Sequence, residues 1–404
     1  MPKDPNVLQA TGKPLFFEVV NPREIGFEPP AIRSDRGEAI RLAVRSLTVM
    51  QKEALVASDR TGKVWRLASD EGAYLDGHDF APCPLSFLST GMVCSYMNEI
   101  LALAEIRGIA ISDLTLIQDN YYTMKGSALK GTMTGGAKNI DLEAVIDADA
   151  DKETLTSLIY DAVAASPLNG LMRGKKESLF TLVHNDRDIG TGKALPVDGP
   201  TLPDPGDKFD AAAVAGGEWT DLIVHTGRMT PKTEETTTLA GGSLTEHQDR
   251  RLHVKVICRL RPDGMKEIEQ HLYNPHGSIF RFLSEEAPEN GGKGRAPDAI
   301  SYIAAGVGFC FMTQFGRYAK IVKKPLDEYR ILQDFHATLG GASGGTGKAG
   351  EADPLETHCY LASGEDDDYA RLCLDMAEQT CFLHAFCRTD LKAKVKVTPK
   401  SQAA

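Results

Sequence analysis

The chain has 404 residues, 42% of them apolar and 25% charged, and a formal net charge of −11. This is the balance of a folded globular protein with room for two or three domains, and its acidity argues against a nucleic-acid-binding surface, which needs a basic patch. No apolar run approaches the length of a membrane span, and the opening MPKDPNVLQATGKP lacks the apolar core of a secretory signal. The expected setting is the cytoplasm, where the eight cysteines are thiols by default and a disulfide is more often catalytic than structural.

Residues 1–35 carry scattered prolines and read as an irregular arm. Strand-like runs follow at 40–48 and 64–68, with Gly62 at the turn before the second. Residues 85–106 are apolar all round the helical wheel, the mark of a buried central helix. A strand at 114–122, a Gly-rich loop at 131–136, a further strand, a helix at 152–165 and a strand at 179–184 complete the first half. Residues 190–245, including ALPVDGPTLPDPGDKFD, read as an extended linker with a short strand at 218–224. The same order then returns: strands at 252–260 and 279–283 with Gly277 at the turn, an apolar helix at 300–321, and a strand at 328–336. A Gly-rich loop, another strand, a helix at 367–381, a strand at 393–397 and a tail at 398–404 end the chain. Strands, buried helix, strands, helix and strand make an α+β fold.

The recurrence has a fixed offset. Val64-Trp65-Arg66-Leu67-Ala68-Ser69 matches Ile279-Phe280-Arg281-Phe282-Leu283-Ser284, and 279 − 64 = 215. The same offset of 215 pairs Ala81-Pro82 with Ala296-Pro297, Gly91 with Gly306, Met97 with Met312, and Ile117-Gln118-Asp119 with Leu332-Gln333-Asp334. Several blocks in one order at one offset indicate a duplication. The expected domains are 36–189 and 246–397, each an antiparallel sheet around its central helix.

Two cysteines hold matching places. Cys310 follows Ala304-Ala305-Gly306-Val307-Gly308-Phe309 on the second central helix, with Ile303, Val307 and Gln314 on its face. Cys381, in Glu378-Gln379-Thr380-Cys381-Phe382-Leu383-His384, ends the next helix, 381 − 310 = 71 residues later. At the repeat offset these positions hold Ser95 and Ser166, again 166 − 95 = 71 apart. Cys94 is one residue off and turned by about 100° on a helix. The order of elements and the two cysteine sites resemble the OsmC/Ohr superfamily, over both halves and about three quarters of the chain. Its members are typically intertwined homodimers, so the resemblance implies an intramolecular pseudo-dimer with a degenerate first half. Further homodimerisation is compatible with it.

The resemblance implies thiol-dependent reduction of organic hydroperoxides, a role in oxidative-stress defence, with Cys310 as the peroxidatic and Cys381 as the resolving cysteine. The thiolate is the nucleophile, and a nearby cation must favour it. Peroxide attack gives a sulfenic acid, which the second thiol converts to a disulfide for an external dithiol to reduce. The resemblance also implies an acid before the central helix, where Pro297-Asp298 stands and where the first half has Cys83. It implies an arginine as well, for which Arg281, Arg295, Arg259 and Arg261 are candidates. Arg281, whose counterpart is Arg66, suits a structural role as well as a catalytic one. The chain departs from the family in having Phe382, not proline, after Cys381. Phe309, Phe311, Phe382 and Leu383 suit a lipid-like hydroperoxide. The expected partners are that substrate and a thiol reductant protein, with no nucleic acid, membrane, metal or bound cofactor.

Other readings remain beside this one. Buried cysteine is commonly a small core hydrophobe, and the remaining six cysteines are read so. Cysteine chemistry on a small sulfur compound, or a non-catalytic protein that binds an apolar ligand or partner, fits the same residues. His384 can tune Cys381, but Cys381, His384 and Cys387 do not have a zinc-site spacing. Residues 342–349 nearly match a phosphate-binding loop but have Ala349 where Ser or Thr is needed, so a hairpin loop is expected. Glu365 to Asp368 reads as a solvated helix start.

Overall fold

The computed structural model describes residues 4–229 and 242–400. Part of the arm, part of the linker and part of the tail therefore lie outside the described residues. The fold is α+β, with two eight-stranded sheets and helices between and beside them.

Each sheet takes strands from both halves of the sequence. In the first, Val64–Ser69, Lys52–Ser58 and Glu38–Ser46 lie side by side, and Glu38–Ser46 pairs antiparallel with Glu328–Ala337 from the second half. Glu356–Ala362 comes next, and Leu179–His184 pairs with it in parallel. The second sheet repeats the order with the roles exchanged. Ser278–Ser284, Lys266–Asn274 and His247–Leu260 lead to Ile111–Ser127 and Ile140–Ala148 of the first half, and Ala393–Pro399 closes in parallel. The sheets are thus antiparallel except at these two closing pairs, a mixture the sequence pattern did not announce. The strands Lys52–Ser58 and Lys266–Asn274 were also not picked out.

Ile111–Ser127 shows why one sheet face meets the core. Its buried and half-exposed residues alternate along the strand from Leu114 to Met124, the period of side chains on a pleated sheet. Lys52–Ser58 is buried on both faces, so it lacks that alternation.

The two central helices, Pro84–Ile106 and Ala299–Val322, cross in the middle. Pro84 starts the first without losing a hydrogen bond, and Asp298 caps the second by accepting from Ser301 N at 2.8 Å. Both are long and apolar enough to cross a membrane by composition, contrary to expectation, but their most apolar windows are 78% and 100% buried within the protein. They touch at Gly91 and Gly306. A Cβ on Gly91 would lie 2.5 Å from Ala299 O, and one on Gly306 would lie 2.5 Å from Leu88 N, so the backbones approach where side chains are absent.

Outside this crossing, Lys152–Ala165 and Asp367–Thr380 are capped by Asp151 and Asp366. Residues 340–349 connect two antiparallel strands, and their amides at Ala342 and Ser343 donate to Glu99 at 2.8 and 3.3 Å. A carboxylate of the protein itself fills that cradle.

Candidate functional site

The break at Cys381 builds the site. Helix Asp367–Thr380 stops because Cys381 adopts extended backbone (φ −68°, ψ 121°), and the chain restarts as Phe382–Cys387. Cys381 caps the new helix, its sulfur accepting from His384 N at 3.4 Å. His384 is therefore on the following helix, not on that of the preceding turn. The break carries Cys381 onto the central helix and sets its free thiol beside that of Cys310. Thr380 Oγ1 donates to Gln314 Oε1 at 3.3 Å and ties the two elements together a turn beyond Cys310. The other half is built alike. Ser166 breaks its helix with φ −62° and ψ 135°, and Ser95 Oγ and Ser166 Oγ are 2.7 Å apart.

The two sulfurs differ in access. Cys310 forms part of the wall of a cavity of about 30 Å³, and Cys381 does not. That volume holds one or two waters. Glu71, Tyr74, Arg250, Thr313, Gln314 and Arg317 supply its polar wall, and leucines, prolines and Phe382 supply most of the rest.

Arg317 is buried and Arg250 half-buried, and each has a donor to spare among the described residues. Arg317 Nε donates to Ser243 O at 2.9 Å and Nη1 meets Met133 Sδ at 3.2 Å, while Nη2 has no partner among the described residues. Arg250 Nη1 donates to Ser243 Oγ, and its Nε has no partner among them either. Burial lowers Arg317 to about 9, with repulsion from Arg250 adding to it, and lowers Arg250 to about 10. Both remain cationic at neutral pH. Glu71 accepts from Tyr74 Oη at 2.6 Å and Thr313 Oγ1 at 3.2 Å, and burial raises its carboxyl against those bonds. Lys52, lowered by burial to about 8, faces both Glu71 and Cys310.

The thiols share a proton. Burial pushes Cys310 well up, and its hydrogen bond to Cys381 adds to this. Burial opposes charge on Cys381 too, but the hydrogen bond from Cys310, the His384 charge and the His384 amide outweigh it and lower Cys381 to about 7. Both shifts favour charge on Cys381 over charge on Cys310.

Of the catalytic residues expected from the sequence, Cys310 and Cys381 come together, and Asp298 and the four candidate arginines do not join them. Asp298 accepts from Ser301 N and from Ser58 Oγ, the latter at 3.2 Å, as the helix cap. It precedes Cys310 by 310 − 298 = 12 residues, about 18 Å along a helix. Burial raises it to about 6. Arg281 binds the carboxylate and carbonyl of Asp221, the latter at 3.0 Å, on the far side of its strand. Arg295 pairs with Glu285 at 2.7 Å, Arg261 faces Asp263 at 3.5 Å, and Arg259 is exposed. None of the four lines the cavity. Their places are taken by Arg317, Arg250 and Glu71, which the sequence reading missed. Arg317 was within reach of it: Cys310, Thr313, Gln314 and Arg317 recur at helical spacing on one face. Arg250 and Glu71 arrive through long-range strand packing that no local spacing encodes. At the repeat offset Arg317 becomes Ala102 (317 − 215 = 102) and Arg250 becomes Asp35 (250 − 215 = 35).

No protein family and no curated protein matches the sequence. Among solved structures, an OsmC-like hydroperoxide resistance protein from Jannaschia sp. CCS1 is similar over 31% of this chain and 79% of its own. The identity is 21% and the TM-score 0.19, a likeness too slight to fix fold or activity.

Proposed function

We propose that this chain is a thiol-dependent hydroperoxide reductase, with two OsmC-like halves forming a pseudo-dimer and one complete site at Cys310 and Cys381. The observation that carries the reading is the neighbouring thiols, one of which opens on a cavity with two guanidinium groups, each with a donor that has no partner among the described residues. Access selects the attacking sulfur of the pair, although Cys381 is the more acidic: Cys310 lines the cavity and Cys381 does not. As a hydroperoxide enters, the shared proton passes to Cys381 and the Cys310 thiolate attacks the O–O bond. The S–O bond forms, the O–O bond breaks, and the alkoxide leaves as an alcohol with that proton. Arg317 and Arg250 offer donors to the developing oxygen charge without reorganisation. The Cys381 thiolate then attacks the Cys310 sulfenic acid; the S–S bond forms, the S–O bond breaks, and the hydroxide leaves as water by taking a proton from solvent. An external dithiol, acting by exchange, returns both thiols.

The cavity's small volume admits the peroxide head, and its leucines and Phe382 suit an alkyl substituent once they move aside. The test is steady-state turnover of cumene hydroperoxide with a dithiol reductant. Wild type turns over and Cys310→Ser does not; equal rates in the two would remove the reading.

A further inference from the structure

Behind Cys381 lies a buried charge cluster that the reaction above leaves without a role. His384 is 1% exposed. Its Nδ1 is hydrogen bonded to Glu378 Oε2, and Arg388 Nη1 donates to Glu378 Oε1 at 2.8 Å. Its Nε2 is buried without a partner among the described residues. The ring stacks on Phe311 with centroids 4.6 Å apart and packs on Phe180 at 5.8 Å, so its orientation is fixed. The charged or titratable groups acting on it are Glu378, Cys381 and Arg388. Glu378 and Arg388 in turn line an open cavity of about 560 Å³ with Lys193, Asp375 and Gln379. This cavity has no wall residue in common with the one at Cys310.

The repeat offers an internal control. At the 215 offset Glu378 falls on Val163 (378 − 215 = 163) and His384 on Asn169 (384 − 215 = 169). The half with Ser95 and Ser166 thus lacks both members of the cluster, and only the half with the thiol pair has them.

We propose that His384, held by Glu378 and Arg388, is a positioning residue whose imidazolium charge keeps the neighbouring Cys381 sulfur a thiolate, with Glu378 linking it to the open cavity. The S–H bond of Cys381 breaks with its proton passing to solvent, and the imidazolium stays paired with the Glu378 carboxylate. The arrangement follows the rule that a cation beside a cysteine favours its thiolate and that a carboxylate on one ring nitrogen fixes the role of the other. Glu378 as partner raises His384 against burial, the largest effect on it, and the charge on Cys381 adds to the rise. The proposal deepens the peroxidase reading but does not depend on turnover, since it concerns the charge of Cys381 at rest.

The test uses the full-length Cys310→Ser protein, in which a hydroxyl replaces the Cys310 thiol. Thiolate absorbance at Cys381 is followed against pH, with Cys310→Ser/Cys381→Ser as the blank for the remaining cysteines. Adding His384→Gln, or Glu378→Gln, is expected to move the titration up by about one pH unit or more, the size of an ordinary charge effect on a thiol. An unmoved titration in both variants overturns the proposal. Should neither variant fold, nitrogen NMR of the wild-type His384 ring decides. An imidazolium at pH 8 supports the proposal, and a neutral ring at that pH overturns it. Loss of peroxidase activity alone, with the titration of Cys381 as described, would count against the peroxidase reading and not against this one.

Discussion

Cys310 combines two features that no other buried cysteine does, a place on the cavity wall and a second thiol beside it. Cys359 and Cys387 are equally buried, and burial raises both thiols, but neither lines the cavity that holds the guanidinium groups; Cys83 lines it, but burial pushes its thiol up to about 12 and it meets Ser86 Oγ. Of the cations, Arg317 is the more telling because it shares a helix face with Cys310. Replacing it with methionine keeps the length of the side chain and removes the donor. Arg317→Met is expected to lower kcat/KM for an organic hydroperoxide by about a hundredfold, the usual cost of losing one oxyanion donor, with Cys381 still titrating near its former pH. A change of less than a factor of two in pre-steady-state peroxide consumption would show that Arg317 has no part in the step. Cys310 and Cys381 were legible in the sequence because the repeat marked their positions. The helper groups were legible only where they lay on the same helix, and Arg281 misled because its match with Arg66 reflects shared strand structure. In the structure Arg66 binds Glu53 at 2.7 Å in the interior and Arg281 binds Asp221 nearer the surface, so both serve ion pairing.

The central helices and the breaks that follow the outer ones set the geometry of the site. Gly91 and Gly306, matched in the sequence by offset alone, turn out to be where the two helices meet backbone to backbone. Alanine normally stabilises a helix interior by up to about 1 kcal/mol relative to glycine. Here the added methyl strikes backbone atoms that cannot swing aside, so the sign reverses. Gly306→Ala is expected to destabilise the protein by about 1–3 kcal/mol, the range for an overpacked core, in a denaturant titration; a gain in stability would mean the crossing is looser than described. The helices themselves were readable from apolar composition and, for Asp367–Thr380, from the acids Glu365 to Asp368 at its start. The short helix after Cys381 was not, because its start depends on a single extended residue with no proline or glycine to announce it.

At the scale of the whole molecule, the two halves of the sequence interleave in space. Glu328–Ala337 pairs with Glu38–Ser46 across the halves, and Ile111–Ser127 pairs with His247–Leu260 over a register running from Ser127 to Thr115. A half expressed alone would leave long, partly apolar strand edges unpaired, which invites aggregation. Separate production of residues 4–229 or 242–400 is expected to give insoluble protein, and co-expression to restore a soluble pair. A monomeric, cooperatively unfolding single half would contradict this interleaving. Strand order was the least legible feature, since alternation along a strand such as Ile111–Ser127 reveals a buried face but not the neighbour. Strands buried on both faces, such as Lys52–Ser58, lack even that signal.

The central claim is that Cys310 and Cys381 form a disulfide when a hydroperoxide arrives. Intact-mass thiol trapping after one equivalent of cumene hydroperoxide tests it in wild type and Cys310→Ser. The account predicts loss of two free thiols in wild type, mapped by peptide analysis to a Cys310–Cys381 bond, and no such loss in the variant. Both thiols remaining free in wild type, or labelling at the same rate with and without peroxide, would contradict it.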